Sequence, residues 1–294
     1  MKVTRTRPRI KVTADGRGVA GHVGSRLLAD VADATGLTHQ FGDALAGLRR
    51  RQRGHDRGRV AVDLAVMLAD GGEAIADLAV LRDQPDLFGP VASDATAWRV
   101  LSSLDSEVLA RLRTARAVAR EVAWAQLTET RGQFPTAVAA GKRIDALVLD
   151  LDATIVVCHS EKESATPTWK KTFGYHPLLC FLDNTGEALS GLLREGRAVS
   201  NTTADHIAVL DQAIEQLPDP YRFGRDILVR TDSAGSSLGF LAHIRSLREH
   251  GMRTFFSVGV PITEPVREAI RTARGWVPAI DPDGQFRDGA EVCE

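Results

Sequence analysis

Cysteine is scarce in this chain. Only Cys158, Cys180 and Cys293 occur in 294 residues, too few and too widely spaced for a disulfide framework. That scarcity fits a reducing cytoplasm, and a cytoplasmic location is the expectation. No run approaches the ~20 consecutive apolar residues that a bilayer span needs, so no membrane partner is expected. The opening MKVTRTRPRIKV has no apolar h-region, which argues against a secretory leader. Neither sign of charge is in excess: 37 Lys+Arg face 38 Asp+Glu, for a formal charge of -1. With 44% hydrophobic residues the chain is neither a disordered polyampholyte nor a membrane protein. No Walker A loop, no G-x-G-x-x-G after a strand and no C-x-x-C pair is present, so nucleotide binding has no signature. Zinc rests on no more than Cys158, His159, His176 and Cys180.

The neutral total hides an asymmetry. Residues 1–60 hold 13 Lys+Arg against 5 Asp+Glu, a surplus of +8, while 61–141 carry -4 and 142–294 carry -5. A basic head on a mildly acidic body suggests a polyanion partner. Its densest stretch is Arg49, Arg50, Arg51, Arg53, Arg57 and Arg59, interrupted by Gly54 and Gly58. Flexible arginines on a glycine-punctuated loop suit phosphate contacts, although a solvated surface loop has the same composition.

Residues 1–13 read as an extended basic arm. Residues 22–36 read as an amphipathic helix with Val23, Leu27, Leu28 and Val31 on its buried face, stopped by Gly36. VAVDLAVMLAD and EAIADLAVLRD, joined at Gly71-Gly72, form a helical hairpin compatible with a helix-turn-helix. Further helices are expected over ATAWRVLSSL and from Ser106 to Thr130, with Trp98 and Trp124 filling core.

The character changes at Gly132-Gln-Phe-Pro135, the start of a linker over residues 132–143. Strand-length apolar runs follow at 146–156, 176–183 and 187–195, the last two joined by a turn at Asn184-Thr185-Gly186. A helix over about 202–216, capped by Asn201, comes next. Then come a strand at 226–232, a helix closed by Gly251, a strand at 253–259, a short helix from Thr263, and a hairpin turning at Asp281-Pro-Asp-Gly284. Three meandering strands followed by alternating helices and strands describe an α/β protein with one mixed sheet.

Asp150 and Asp152 sit in an otherwise apolar strand, and their spacing of two puts both on one face. Burying carboxylates among Leu and Val is costly unless something neutralises them, and a divalent cation would. Asp232 ends another strand. If the two strands are neighbours, Asp152 and Asp232 meet at one hard-cation site of the kind Mg²⁺ favours. Thr154 shares the face and could support a carboxylate. Trp169-Lys170-Lys171, between two strands, reads as a basic lip contacting DNA or as a solvated loop.

At this point the sequence resembles a family. LDLDATIVVCHSEKESATPTWKKTFGYHPLLCFLDNTGEALSGLLREG, NTTADHIAVLDQAI, ILVRTDSAGSSLGFLAHI and FFSVGVPIT are similar to bacterial insertion-sequence transposases of the DDE class. So is the upstream HDRGRVAVDLAVMLADGGEAIADLAVLRDQPDLFGPVASDATAWRVL. The resemblance implies an RNase H-like core that cuts and joins double-stranded DNA, at transposon ends and target, using two Mg²⁺ ions (or Mn²⁺ in their place) held by Asp, Asp and Glu. The D-x-T context assigns the first to Asp152 and the strand end assigns the second to Asp232, with Asp150 the second-choice ligand. It also implies residues 1–131 as arm and helical DNA-binding region, 144–275 as the catalytic core and 276–294 as the start of a β-rich insertion. The DNA contacts would come from Arg49, Arg50, Arg51, Arg53, Arg57, Arg59, Lys170 and Lys171. The family's Glu follows that insertion. Glu291 and Glu294 stand in the wrong context, so a C-terminally truncated chain lacking the third carboxylate is the expectation. A homodimer, or a dimer with full-length transposase, is the expected assembly.

Two alternatives stay open. LVLDLDATIV also fits the opening of haloacid-dehalogenase-like phosphatases, with Asp150 as nucleophile, Asp152 as general acid/base and Thr231 as the later strand-end hydroxyl. A non-catalytic DNA-binding remnant is the other.

Overall fold

The structure, a computed structural model, describes residues 7–11, 13, 21–48, 54–139, 141–159, 161–199 and 202–293. The chain divides into two units, Met1–Thr130 and Arg131–Glu294.

The first unit is helical: α1 (Val23–Ala34), α2 (Leu37–Ala44), α3 (Arg57–Ala69), the single turns α4 (Ala79–Arg82) and α5 (Pro85–Phe88), α6 (Asp94–Leu101) and the long α7 (Ser106–Arg131). Asp56 caps α3 by accepting from Arg59 N at 3.0 Å. Gly58 is therefore not loop punctuation but part of the first turn of α3. A Cβ there would lie 2.1 Å from Gly42 N, so α2 and α3 cross backbone to backbone.

The buried face of α1 is not the expected one. Leu27 and Val31 are 66% and 60% exposed, whereas Ser25, Arg26, Ala29 and Ala32 are buried. Small side chains let α1 approach its neighbours closely. Arg26 must turn inward to donate to Leu87 O and to Pro8 O, the latter at 2.9 Å. The second member of the expected helical hairpin is a 3₁₀ turn, Ile75–Leu78, running into α4. Trp98 is exposed and Trp124 buried, so one of the two indoles fills core.

Within the unit lies an ionic core. Arg7 and Arg59 both reach Asp63 Oδ1, at 2.9 and 3.3 Å, and Arg7 also pairs with Asp33. The side chains of Arg7, Arg59 and Asp63 are at most 2% exposed. Arg7 thus fastens one point of the expected basic arm to α1 and α3.

The second unit begins with a hairpin, β1 (Ala137–Ala139) and β2 (Lys142–Ile144), inside the expected linker. Gly141, at φ 71°, supplies the left-handed turn position. Then come β3 (Leu147–Ala153), β4 (Val156–Val157), β5 (Thr166–Pro167), β6 (Phe173–Tyr175), β7 (Leu178–Leu182) and β8 (Glu187–Leu192). They are followed by α8 (Thr203–Glu215), α9 (Asp219–Arg222), β9 (Asp226–Thr231), α10 (Leu238–Ser246), β10 (Arg253–Val258), α11 (Glu264–Thr272), β11 (Val277–Ile280) and β12 (Phe286–Val292). Asn201 lies outside the described residues; the N-cap position of α8 is Thr202.

Five strands form one sheet in the order β10-β9-β3-β7-β8. β3, β7 and β8 run antiparallel, and β9 and β10 run parallel to β3. This is the RNase H-like arrangement, with the first strand central. One face carries Leu149, Leu151, Cys180, Ile227 and Val229, all buried under α8 and α10. Each fully buried aliphatic side chain stabilises the unit by about 1.5–3 kcal/mol. Two hydroxyls tie helices to strands: Ser190 Oγ donates to Val209 O and Thr254 Oγ1 to Ile244 O, both at 2.7 Å. The other face is more open, with Phe181 and Phe255 39% and 49% exposed.

The expected strand 146–156 is interrupted. After Ala153 the chain leaves the main sheet, Thr154 N donating to Pro177 O at 3.1 Å, and β4 joins a separate sheet in the order β4-β6-β5.

Candidate active site

The site is set by the parallel pairing of β3 with β9. Leu151 pairs with Thr231, so the next residues, Asp152 and Asp232, leave the carboxyl ends of neighbouring strands at matching positions. Such strand ends are where open α/β sheets place their chemistry. Both side chains are exposed. Asp152 Oδ1 accepts from Ala153 N at 2.8 Å, and Asp232 Oδ1 accepts from Ala234 N at 2.9 Å. Each carboxylate is thus oriented by a local backbone turn through one oxygen. Thr154 makes no hydroxyl bond to Asp152 among the described residues.

Two glycines let the Asp232 turn form. A Cβ on Gly235 would meet Thr231 Cγ2 at 2.2 Å, and one on Gly259 would lie 3.1 Å from Ser233 N. Gly259 N also donates to Thr231 O at 3.1 Å.

Asp150 has a different environment from Asp152. Arg230, its register partner on β9, grips it with two bonds of 2.6 Å, Nε to Oδ1 and Nη2 to Oδ2. Arg230 Nη2 also lies 3.0 Å from Asp183 Oδ2. Its hydrogen bond to Asp150 raises the pKa of Arg230 further above its ordinary value, against partial burial. Asp150, the second-choice ligand of the sequence reading, is thus an ion-pair partner of Arg230 in this structure. Arg230 and Asp183 were not anticipated, because their link to Asp150 depends on which strands become neighbours.

This geometry does not fit the phosphatase alternative. The nucleophile it requires is held bidentate by a guanidinium. Thr231 faces the helix side of the sheet, opposite Asp150. The strand after β3 in the sheet, β7, is antiparallel rather than the end of a crossover.

Among the described residues no three His, Cys, Asp or Glu side chains gather as a metal site. The zinc cluster is not assembled: His176 is buried with Nδ1 2.9 Å from Ala198 O, and Cys180 lies under the helices. Glu291 stands in the exposed hairpin strand β12, and Glu294 lies outside the described residues. Asp152 and Asp232 offer a pair of carboxylates, a donor set that fits Mg²⁺, which takes one or two carboxylates plus waters and substrate phosphates.

The basic residues divide. Arg49, Arg50, Arg51 and Arg53 lie outside the described residues. Arg57 is half-buried, with Nη1 3.5 Å from Ser103 Oγ. Arg59 is corrected: it is buried on Asp63 and Phe88 O and cannot reach a phosphate. Lys170 and Lys171 are exposed on the β5–β6 loop, which Thr168 closes by donating from N to Thr172 O at 2.7 Å. Lys170 Nζ sits 5.0 Å from the centroid of the exposed Trp169 ring. Among the described residues no helix is long and apolar enough to cross a membrane.

Comparison with solved structures finds distant likeness. The piggyBac transposase synaptic complex with hairpin DNA matches at 12% identity and a TM-score of 0.36, over 92% of this chain and 58% of that one. The Mos1 mariner paired end complex with Mn matches at 11% identity and a TM-score of 0.27, over 88% and 81%. The chain thus spans just over half the length of the piggyBac chain. Comparison with curated proteins yields no match. The family described as Transposase DDE domain group 1 matches residues 2–277, nearly the whole sequence, and the chain belongs to that family.

Proposed function

We propose that this protein is an insertion-sequence transposase that cleaves and joins double-stranded DNA with Mg²⁺, Mn²⁺ being able to substitute. The observation that carries the reading is the matched placement of Asp152 and Asp232 at the ends of the adjacent parallel strands β3 and β9. When bound, the metal supplies Lewis acidity at a phosphodiester and lowers the pKa of the attacking hydroxyl. Asp152 and Asp232 act as its ligands, and their backbone-fixed Oδ1 atoms orient them before substrate arrives. Lys170 and Lys171 hold DNA phosphates beside the site, and Arg49, Arg50, Arg51 and Arg53 hold them elsewhere on the duplex. Sequence choice comes from base contacts and DNA shape.

The test uses the full chain with duplexes bearing the inverted repeats that flank its gene. Metal-dependent nicking should vanish in Asp152→Asn and Asp232→Asn, while duplex affinity changes less than about twofold, since a ligand carboxylate contributes to chemistry rather than to backbone contacts. Nicking that survives both substitutions would sink the assignment. A second reading, DNA binding without cleavage, draws support from the missing third acidic partner among the described residues. Specific binding of those ends with no nicking in Mg²⁺ or Mn²⁺ would favour it.

A further inference from the structure

We propose that Arg230 is a positioning residue that withholds Asp150 from the metal, so that the site is built from Asp152 and Asp232 rather than from all three aspartates. The inference rests on the functional reading above and deepens it. Asp150 and Asp152 leave the same face of β3, about 7 Å apart along the strand at ~3.3 Å per residue. Arg230 and Asp232 repeat that spacing on β9. The two strands therefore carry two successive rungs. The outer rung pairs two carboxylates, and the inner rung pairs a carboxylate with a guanidinium.

Geometry makes the inner rung a neutral unit. Both oxygens of Asp150 are engaged at 2.6 Å by the planar fork of Arg230, the arrangement that satisfies a carboxylate most completely. Arg230 also reaches Asp183, the residue after β7, at 3.0 Å, so it links β9 and β3 to the end of β7. A lysine could not hold both oxygens in this way. Without the guanidinium, Asp150 would be an additional carboxylate one rung below the site, free to attract or ligate a cation.

The charge logic gives opposite signs for single changes and cancellation for the pair. Removing Arg230 alone leaves a surplus negative charge about 7 Å from the ion. Removing Asp150 alone leaves a surplus positive one. With screening close to that of bulk water, as at a solvent-exposed site, each should change the affinity for a divalent ion on the order of tenfold.

Mn²⁺ binding to the full chain, read as loss of the free-ion electron paramagnetic resonance signal at low ionic strength, tests this without any need for turnover. Affinity should rise in Arg230→Met, fall in Asp150→Asn, and return to within about twofold of the starting value in the double variant, where the net charge is restored. Arg230→Lys, which keeps the charge but cannot engage both oxygens, should bind more tightly than the parent and less tightly than Arg230→Met. If the double variant binds as weakly as Asp150→Asn alone, Asp150 is a ligand and the proposal is wrong. Unchanged or weakened binding in a folded Arg230→Met protein overturns it as well. Asp152→Asn and Asp232→Asn separate the two layers of argument: if neither weakens Mn²⁺ binding, the functional reading fails, whatever Arg230 does.

Discussion

Asp63→Asn is the most informative single change to the helical unit. The substitution keeps the shape of the side chain and removes one charge. In the native protein, the guanidinium groups of Arg7 and Arg59 share Asp63 Oδ1 at 2.9 and 3.3 Å, with all three side chains at most 2% exposed. Burial pushes the Asp63 carboxyl up, and Arg59 and Arg7 pull it back down. Asparagine would take from the two buried cations the carboxylate they share, while Arg7 keeps Asp33, 31% exposed. Breaking a buried pair by removing one partner costs about 3–5 kcal/mol, because the surviving charge stays out of water. For a unit of this size that corresponds to a fall in Tm of roughly 10–15 °C. Differential scanning calorimetry of the full chain reads it directly. The double variant Arg59→Met/Asp63→Leu removes one charge of each sign and fills the space, so it should lose distinctly less. A shift below about 3 °C for Asp63→Asn, or a double variant no milder than the single, would refute the reasoning.

Other expectations follow from single contacts. Gly58→Ala should destabilise the protein by at least about 2 kcal/mol in urea titration, since a Cβ would meet the backbone of Gly42 rather than a movable side chain. Native protein treated with a thiol reagent should be labelled at Cys158 and Cys293, which are partly exposed, and not at Cys180. Burial first, and the nearby Asp150 charge second, hold the Cys180 thiol protonated well above its ordinary pKa. Lys170→Ala/Lys171→Ala should weaken duplex binding uniformly across sequences and flatten the dependence of log K on log salt by about 1–2 units; an unchanged slope would show that these lysines touch no phosphate.

Much of the sheet was legible in the sequence, because its strands are apolar runs separated by turn residues. The runs at 178–182, 187–192, 226–231 and 253–258 needed only hydrophobicity and punctuation to be found. Contacts between distant parts of the chain were not legible. Nothing in DILVRTD marks Arg230 as the partner of a residue 80 positions earlier. Asn184 read simply as a turn residue. In the structure its buried side chain accepts from Val148 N and donates to Ala146 O and Pro135 O, at 2.9–3.0 Å, pinning β3 to the turn between β7 and β8. The α1 face failed for a related reason. Hydrophobic periodicity predicts burial when apolar contact decides packing, and there the inward demand comes from Arg26 and from close approach by small side chains. The pairing of Asp152 with Asp232 follows from strand adjacency, which the alternation of strand and helix suggested and the register of β3 against β9 supplies.

The segment after β10 contributes no fully buried side chain. Beyond Gly259, from Val260 through Cys293, every residue retains some solvent access, including all of α11 and the β11–β12 hairpin. The sheet's cohesion is thus complete before this tail begins. Substitutions in the tail are answerable to its own turns and to whatever it meets in solution, and the paired aspartates upstream keep their scaffold when it changes.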